Sequence, residues 1–152
     1  MIREISEKYS PLLAEIHRRC FADGWSEKSF RNILLQKCAI AFVEEDGAII
    51  RGFGVANVVL DEAEIITFCI LPEFRRQGLG KCLLLGLMNH LLDQGVGKTF
   101  LEVPENNLEA IRLYESVGFE KISRRPDYYR TKHEFQDALL MVLYLPVSTK
   151  SQ

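Results

Sequence analysis

Between Pro72 and the apolar run that begins at Cys82, the chain reads Glu73-Phe74-Arg75-Arg76-Gln77-Gly78-Leu79-Gly80-Lys81. Gly78 and Gly80 lack side chains, so backbone N–H groups can approach an anion closely. The helix expected to start here adds the positive end of its dipole to the nearby cations. A polyphosphate suits such a segment. A dinucleotide fingerprint would need glycine at Leu83, and a Walker A loop would need glycine at Arg75 and Ser or Thr at Cys82; both matches fail. A glycine-containing turn with solvated arginines is the competing reading of the hexapeptide alone.

Two other side chains could move protons. Glu102 is the one charged residue in the stretch Thr99-Phe100-Leu101-Glu102-Val103, where it is either a general base or a carboxylate on a strand's solvent face. Tyr114 follows on a helical face shared with Ala110 and Val117, so its ring is expected half-buried, as core or with its hydroxyl presented to a ligand. Asn107 suits a helix cap, a role that Asn106 could also fill, and a ligand contact.

The elements that must position these groups follow from periodicity. Ile2 to Ile5 reads as a strand; Pro11 opens a helix with Leu12, Leu13, Ile16 and Cys20 along one face. Ser26 caps a second helix, with Trp25 and Phe30 placed as a hydrophobic staple. Cys38 to Glu45 and Ala48 to Leu60 are strand-like around Asp46-Gly47, and Gly52 and Gly54 mark a bulge or a close backbone approach. Asp61-Glu62-Ala63 turns the chain into a strand over Glu64 to Leu71, ended by Pro72. A long helix with Leu84, Leu87, Met88 and Leu91 on one face stops at Gly95-Val96-Gly97, before a strand over Lys98 to Val103. Asn106-Asn107, with Glu109 as in a capping box, starts a helix ending at Gly118. Phe119 to Arg124 and Ala138 to Leu145 read as strands around a polar, aromatic loop from Arg125 to Asp137. The expected fold is α/β, or α+β by another naming: a mixed, mostly antiparallel sheet with one parallel crossover and helices on both faces.

The chain has 152 residues, 47% of them apolar, which predicts one domain over 1–152 with a packed core. A net charge of −2 gives no field for collecting nucleic acid or anionic lipid, so neither partner is expected. The four cysteines lie in apolar runs without a Cys-x-x-Cys pair, which predicts free, buried thiols and no metal. The first residues lack signal-peptide architecture and Cys82 to Leu92 is too short to span a bilayer, so a cytoplasmic location is expected. His17, His90 and His133 are scattered and fit helix surfaces or loops.

Arg75-Arg76-Gln77-Gly78-Leu79-Gly80 resembles the Arg/Gln-x-x-Gly-x-Gly signature of the GNAT acyltransferases, whose loop holds the acetyl-CoA pyrophosphate. Further segments narrow the resemblance to the ribosomal-protein-alanine N-acetyltransferases, the RimI group: Trp25-Ser26-Glu27-Lys28-Ser29-Phe30, Val59-Leu60-Asp61-Glu62-Ala63, Leu101-Glu102-Val103, Ala110 to Phe119, Tyr128-Tyr129 and Asp137-Ala138-Leu139. The resemblance implies a GNAT fold and acetyl transfer from acetyl-CoA to the N-terminal α-amine of a protein, alanine-initiated ribosomal protein S18, by direct attack in a ternary complex. It implies Glu102 as proton acceptor and Tyr114 as the acid beside the CoA sulfur. The cofactor would be held by Arg75, Arg76, Gln77, Gly78, Leu79, Gly80 and Lys81, by Asn107, and by the backbone of Phe68, Cys69 and Ile70. Trp25, Tyr128 and Tyr129 would wall the peptide groove, although Trp25 also serves as a staple partner. Gly24, Thr67 and Pro104 depart from the group's proline, asparagine and usual residue after the catalytic strand. An α-amine (pKa ~7.8) is deprotonated near neutrality about 3.5 kcal/mol more cheaply than a lysine amine (~10.4), which favours a terminus as acceptor. A lysine or small-amine acceptor, and a CoA-binding module without turnover, are the rival functions.

Overall fold

The computed structural model describes residues 1–130 and 135–146, with side chains described outside 127–136. Seven strands form one sheet in the order β1-β2-β3-β4-β5-β7-β6. The strands are β1 (Ile2–Ile5), β2 (Ala39–Asp46), β3 (Ile49–Val59), β4 (Glu62–Ile70), β5 (Lys98–Pro104), β6 (Glu120–Arg130) and β7 (Phe135–Tyr144). All neighbours are antiparallel except β4 and β5. Four helices cover the faces: α1 (Ser10–Cys20), α2 (Glu27–Leu34), α3 (Leu79–Asp93) and α4 (Leu108–Val117).

Each helix buries the stripe its sequence carries. Leu83, Leu84, Leu87, Met88 and Leu91 of α3 pack with Ile111 and Tyr114 of α4 on one face of the sheet. Leu13 and Ile16 of α1 and Phe30 of α2 pack on the other, against Ala41, Val43, Phe53 and Val55. Phe30 and Phe53 are fully buried, each worth roughly 2–3 kcal/mol of apolar transfer. Ser26 Oγ accepts the Ser29 N–H at 3.1 Å, and the Trp25 and Phe30 rings lie 5.3 Å apart, so the cap and the staple both form. This is the three-layer mixed arrangement expected.

Both alternatives raised for the glycines of β3 occur. The ladder shifts between Glu44 and Glu45, leaving Arg51 as the extra residue beside Gly52. A Cβ on Gly52 would meet the Cys69 carbonyl at 2.6 Å, and one on Gly54 would meet Phe68 Cδ2 at 2.8 Å. A second bulge lies between Val55 and Ala56, with Ile66 as the extra residue on β4. It redirects the strand: Ile65, Phe68 and Ile70 pack toward α3 and α4, whereas Ile66, Cys69 and Leu71 pack toward α1 and α2.

Several sequence expectations shift. The β2–β3 turn is centred on Gly47-Ala48, one residue late, because Gly47 takes the positive φ of +61° that the first central position requires. Strand β4 begins at Glu62, since Leu60 (φ +57°) and Asp61 make the turn. The expected loop from Arg125 to Asp137 is mostly strand: β6 and β7 pair through Arg125↔Ala138, Tyr129↔Gln136 and Arg130↔Phe135. Pro126 sits within the register shift between Arg125 and Tyr129, where its missing N–H is tolerated. Of the cysteines, only Cys69 is buried; Cys82 is exposed and Cys20 and Cys38 are intermediate.

Candidate active site

The parallel pair β4–β5 is in register only through Glu62↔Lys98, Ala63↔Thr99 and Glu64↔Phe100. Beyond that point β4 continues to Ile70 and β5 to Pro104 without pairing, so the sheet opens into a split. The Leu71 N–H donates to the Arg51 carbonyl across the β3 side at 2.8 Å. Antiparallel alternation therefore turns the backbone of Cys69 toward β3 and the N–H and C=O groups of Phe68 and Ile70 toward the split.

A cavity of about 440 Å³ lies beside this edge. Phe68, Cys69 and Ile70 form one wall, and Arg75, Arg76, Gly78, Leu79, Gly80 and Lys81 a second. Asn107 and Tyr114 complete it from the α4 side. Of the cofactor candidates, only Gln77 is not in the lining.

The glycine segment divides its tasks. Gly78, at φ +80°, is the residue that turns the chain into α3, preceded by Arg76 at +62°. The first main-chain bond of the helix runs from Cys82 N–H to Gly78 O at 3.1 Å, so the N–H groups of Leu79, Gly80 and Lys81 point out of the helix start. Clearance at Gly80 is tight: a Cβ there would lie 3.2 Å from Leu113 Cδ2, so the leucine end would have to shift by a few tenths of an ångström. Arg75 Nε donates to the Ile70 carbonyl at 2.8 Å, tying the loop to the end of β4. Exposed Arg76 and Lys81 add positive charge at the mouth. Asn107 proves to be the cap of α4, its Oδ1 accepting the Ala110 N–H at 3.2 Å; its Nδ2 group remains a donor beside the cavity. Backbone amides, cations and an apolar wall with a strand edge unpaired with β5 fit the diphosphate and the amide-bearing arm of acetyl-CoA.

Tyr114 is buried, its ring 6.3 Å from Phe68 and 5.8 Å from Phe119 in edge-on packing. Glu102 lies outside this cavity, on the opposite face of the sheet from its neighbours Leu101 and Val103, which enter the α3–α4 core. Its Oε1 pairs with Arg125 Nη2 at 3.1 Å, and its buried Oε2 has no hydrogen-bond partner among the described residues. The base and acid candidates thus approach the split from opposite faces. Burial and the charge of Glu102 hold the Glu64 carboxyl above the ordinary carboxylate range.

On the Glu102 face, Trp25 is fixed by His17, which lies in the core and not on the helix surface or loop its scattered position suggests. His17 is 3% exposed, and its Nδ1 accepts the Trp25 N–H at 3.0 Å while the two rings stack 5.0 Å apart. Burial pushes the His17 imidazole down to about 4, so it is neutral at physiological pH. Its position four residues after Leu13 is the signal that could have placed it in the core. Gly24 follows from close packing, since a Cβ there would come 2.9 Å from Arg18 Cα. Arg125, expected only as the start of a loop, meets Glu102 through two strand registers that no local pattern encodes. His90 packs edge-on to Phe42, and the side chains of Tyr128, Tyr129 and His133 lie outside those described. Among the described residues no His, Cys, Asp and Glu cluster suits a metal, and no helix is long and apolar enough to cross a membrane.

Residues 10–119 match the acetyltransferase (GNAT) family. The chain belongs to the GNAT family. It is similar to the [ribosomal protein bS18]-alanine N-acetyltransferase of Escherichia coli K12, at 37% identity over 91% of each chain. The protein of that name from Haemophilus ducreyi is 34% identical over 95% of this chain and all of its own. The crystal structure of the E. coli ribosomal-protein-S18-alanine N-acetyltransferase superposes with a TM-score of 0.92 at 33% identity, covering 100% of this chain and 97% of that one. Arabidopsis thaliana NAA60 in complex with acetyl-CoA shares the fold at a TM-score of 0.83 and 22% identity, over 95% of this chain and 98% of its own. This GNAT protein is therefore an acetyl-CoA-dependent N-acetyltransferase.

Proposed function

We propose that the enzyme acetylates the α-amine of a protein N-terminus, that of alanine-initiated ribosomal protein bS18, with Glu102 as base and Tyr114 as acid. The observation that carries this reading is the split between β4 and β5, reached by Glu102 from one face and Tyr114 from the other. The relatives named for bS18 acetylation match over nearly their whole length, which supports the same acceptor here.

In this reading the amides of Gly78 to Lys81, with Arg76 and Lys81, bind the diphosphate, and Phe68 and Ile70 pair with the pantetheine amides as a strand would. An amine attacks a thioester only when neutral, so Glu102 Oε2 takes its proton, directly or through a water. The Ile70 N–H donates to the developing oxyanion, and the Tyr114 hydroxyl protonates the departing thiolate. Attack is direct, in a ternary complex. Trp25, Tyr128 and Tyr129 bound the peptide.

Short peptides that differ in their first residue, each with an internal lysine and each also made with a blocked amino terminus, test the acceptor. Turnover that requires the free terminus and favours alanine is expected. Equal turnover of the blocked peptides would reject the assignment in favour of a lysine acceptor.

A further inference from the structure

Glu64↔Phe100 is the last pair of the parallel ladder, so Glu64 stands on β4 at the apex of the split, and Glu102 stands two residues beyond Phe100 on β5. Both side chains leave the same face of the sheet. Ala63 and Ile65 flank Glu64 and enter the α3–α4 core, as Leu101 and Val103 do on either side of Glu102. One strand spacing and two residues of rise put the two Cα atoms roughly 8 Å apart, which leaves room for one small group between the carboxylates. Glu64 is exposed and lies outside the cofactor cavity; it lines a second cavity, of about 370 Å³, with Asn57, Glu62 and Phe100.

The charges on this face do not balance. Arg125 Nη2 pairs with Glu102 Oε1, and the buried Oε2 has no hydrogen-bond partner among the described residues. Glu62 and Lys98 oppose each other across the first pair of the ladder, β3 sets the neutral Asn57 opposite Glu64, and Asp61 lies in the turn before β4. From the α1 side come Trp25 and His17, the latter neutral through burial. Among the described residues no cation offsets Glu64, which leaves the apex net negative. Burial and the charge of Glu102 hold the Glu64 carboxyl above the ordinary range, a repulsion that a cation between the two would relieve.

We propose that Glu64 binds the α-ammonium of the acceptor, holding it across the apex of the split from Glu102. This role rests on the placement of the amine beside Glu102 proposed above. An α-amine of pKa ~7.8 arrives mostly protonated at pH 7. Its ammonium offers three N–H donors, of which one goes to Glu64 and one to Glu102 Oε2. Once Glu102 has taken its proton, the neutral nitrogen keeps the bond to Glu64 and turns its lone pair to the thioester. Glu102, already paired with Arg125, supplies the base, and Glu64 supplies the charge that draws the protonated form in.

The test compares the wild type with Glu64→Gln, Glu64→Asp and Glu102→Gln on an alanine-initiated peptide at pH 7 and pH 9. At pH 7 Glu64→Gln should raise the peptide KM by about tenfold, as expected for one lost charge-assisted hydrogen bond, with the KM for acetyl-CoA unchanged. At pH 9 the amine is already neutral, and the rise should shrink to less than about twofold. Glu64→Asp keeps the charge and should show a smaller rise than Glu64→Gln. A peptide with hydrogen in place of its α-amine should inhibit the wild type and Glu64→Gln equally. An unchanged peptide KM at pH 7, a rise that persists at pH 9, or weaker inhibition of Glu64→Gln by the amine-free peptide would overturn the proposal. Glu102→Gln, read on kcat, keeps the two assignments apart. Full kcat there removes the base on which the role of Glu64 rests, whereas a normal peptide KM in Glu64→Gln beside an impaired Glu102→Gln removes the ammonium contact alone.

Discussion

Arg125 Nη2 stands 3.1 Å from Glu102 Oε1 although strand β7 lies between the strands that carry them. Arg125 pairs with Ala138 and Glu102 with Leu140, so the two reach each other diagonally across β7. The contact occupies one carboxylate oxygen and leaves the other, buried and without a partner among the described residues, as the atom to which the proposed mechanism gives the proton. Glu102→Gln should lower kcat by ~10²-fold or more, within the span of a positioned base. Arg125→Ala should lower kcat by about tenfold, with partial rescue by added guanidinium; as Arg125 is half-exposed, its pair adds less than about 1 kcal/mol to stability. Full activity of Glu102→Gln in steady-state assays would remove it from the chemistry.

Tyr114→Phe retains the ring contacts to Phe68 and Phe119 and removes only the hydroxyl. Turnover should fall by roughly 10- to 100-fold, with the melting temperature within a few degrees of the wild type. A larger melting shift with unchanged turnover per folded molecule would make Tyr114 a packing residue.

The two glycines of the loop should fail differently. Gly78→Ala forces a side chain to φ +80° and should cost about 1–2 kcal/mol, read as a lower melting temperature. Gly80→Ala places a Cβ 3.2 Å from Leu113 beside the cavity and should raise KM for acetyl-CoA more than it lowers stability. Isothermal titration with CoA and thermal unfolding separate the two effects.

His17 makes stability pH-dependent. Its folded value of about 4 lies below the unfolded ~6.5, so between these limits the unfolded chain binds more protons and stability falls as pH drops. The loss is at most of order 3 kcal/mol and is complete near pH 4. Urea unfolding from pH 7 to 4 should show this slope, and His17→Gln should flatten it. An unchanged slope in that variant would assign the acid sensitivity to other groups.

Local signals carried most of the fold. Ser26, Pro72, Gly95 and Gly118 stop or start elements through the conformations of single residues, and the stripe on α3 has one solution. The outer halves of β6 and β7 were hidden because the polar run from Arg125 to Gln136 lacks the alternation a buried strand face imposes. The glycine loop is legible from residue type, whereas Tyr114 at helical spacing reads equally as core and is singled out only by the family resemblance; the two share a cavity. What the sequence could not reveal depends on long-range register: the β4–β5 pairing that ends at Glu64↔Phe100, the Arg125–Glu102 contact, and the burial of His17 beneath Trp25.

In the proposed complex the cofactor enters the split with its sulfur at Tyr114 and its diphosphate on the start of α3. A crystal structure of the enzyme bound to a peptide–CoA conjugate tests it most directly. Diphosphate oxygens are expected on the amides of Gly78 to Lys81, the sulfur within hydrogen-bond reach of the Tyr114 hydroxyl, and the linked peptide amine facing Glu102. A conjugate lodged away from the glycine loop, or one with both side chains turned from the sulfur and the amine, would contradict it.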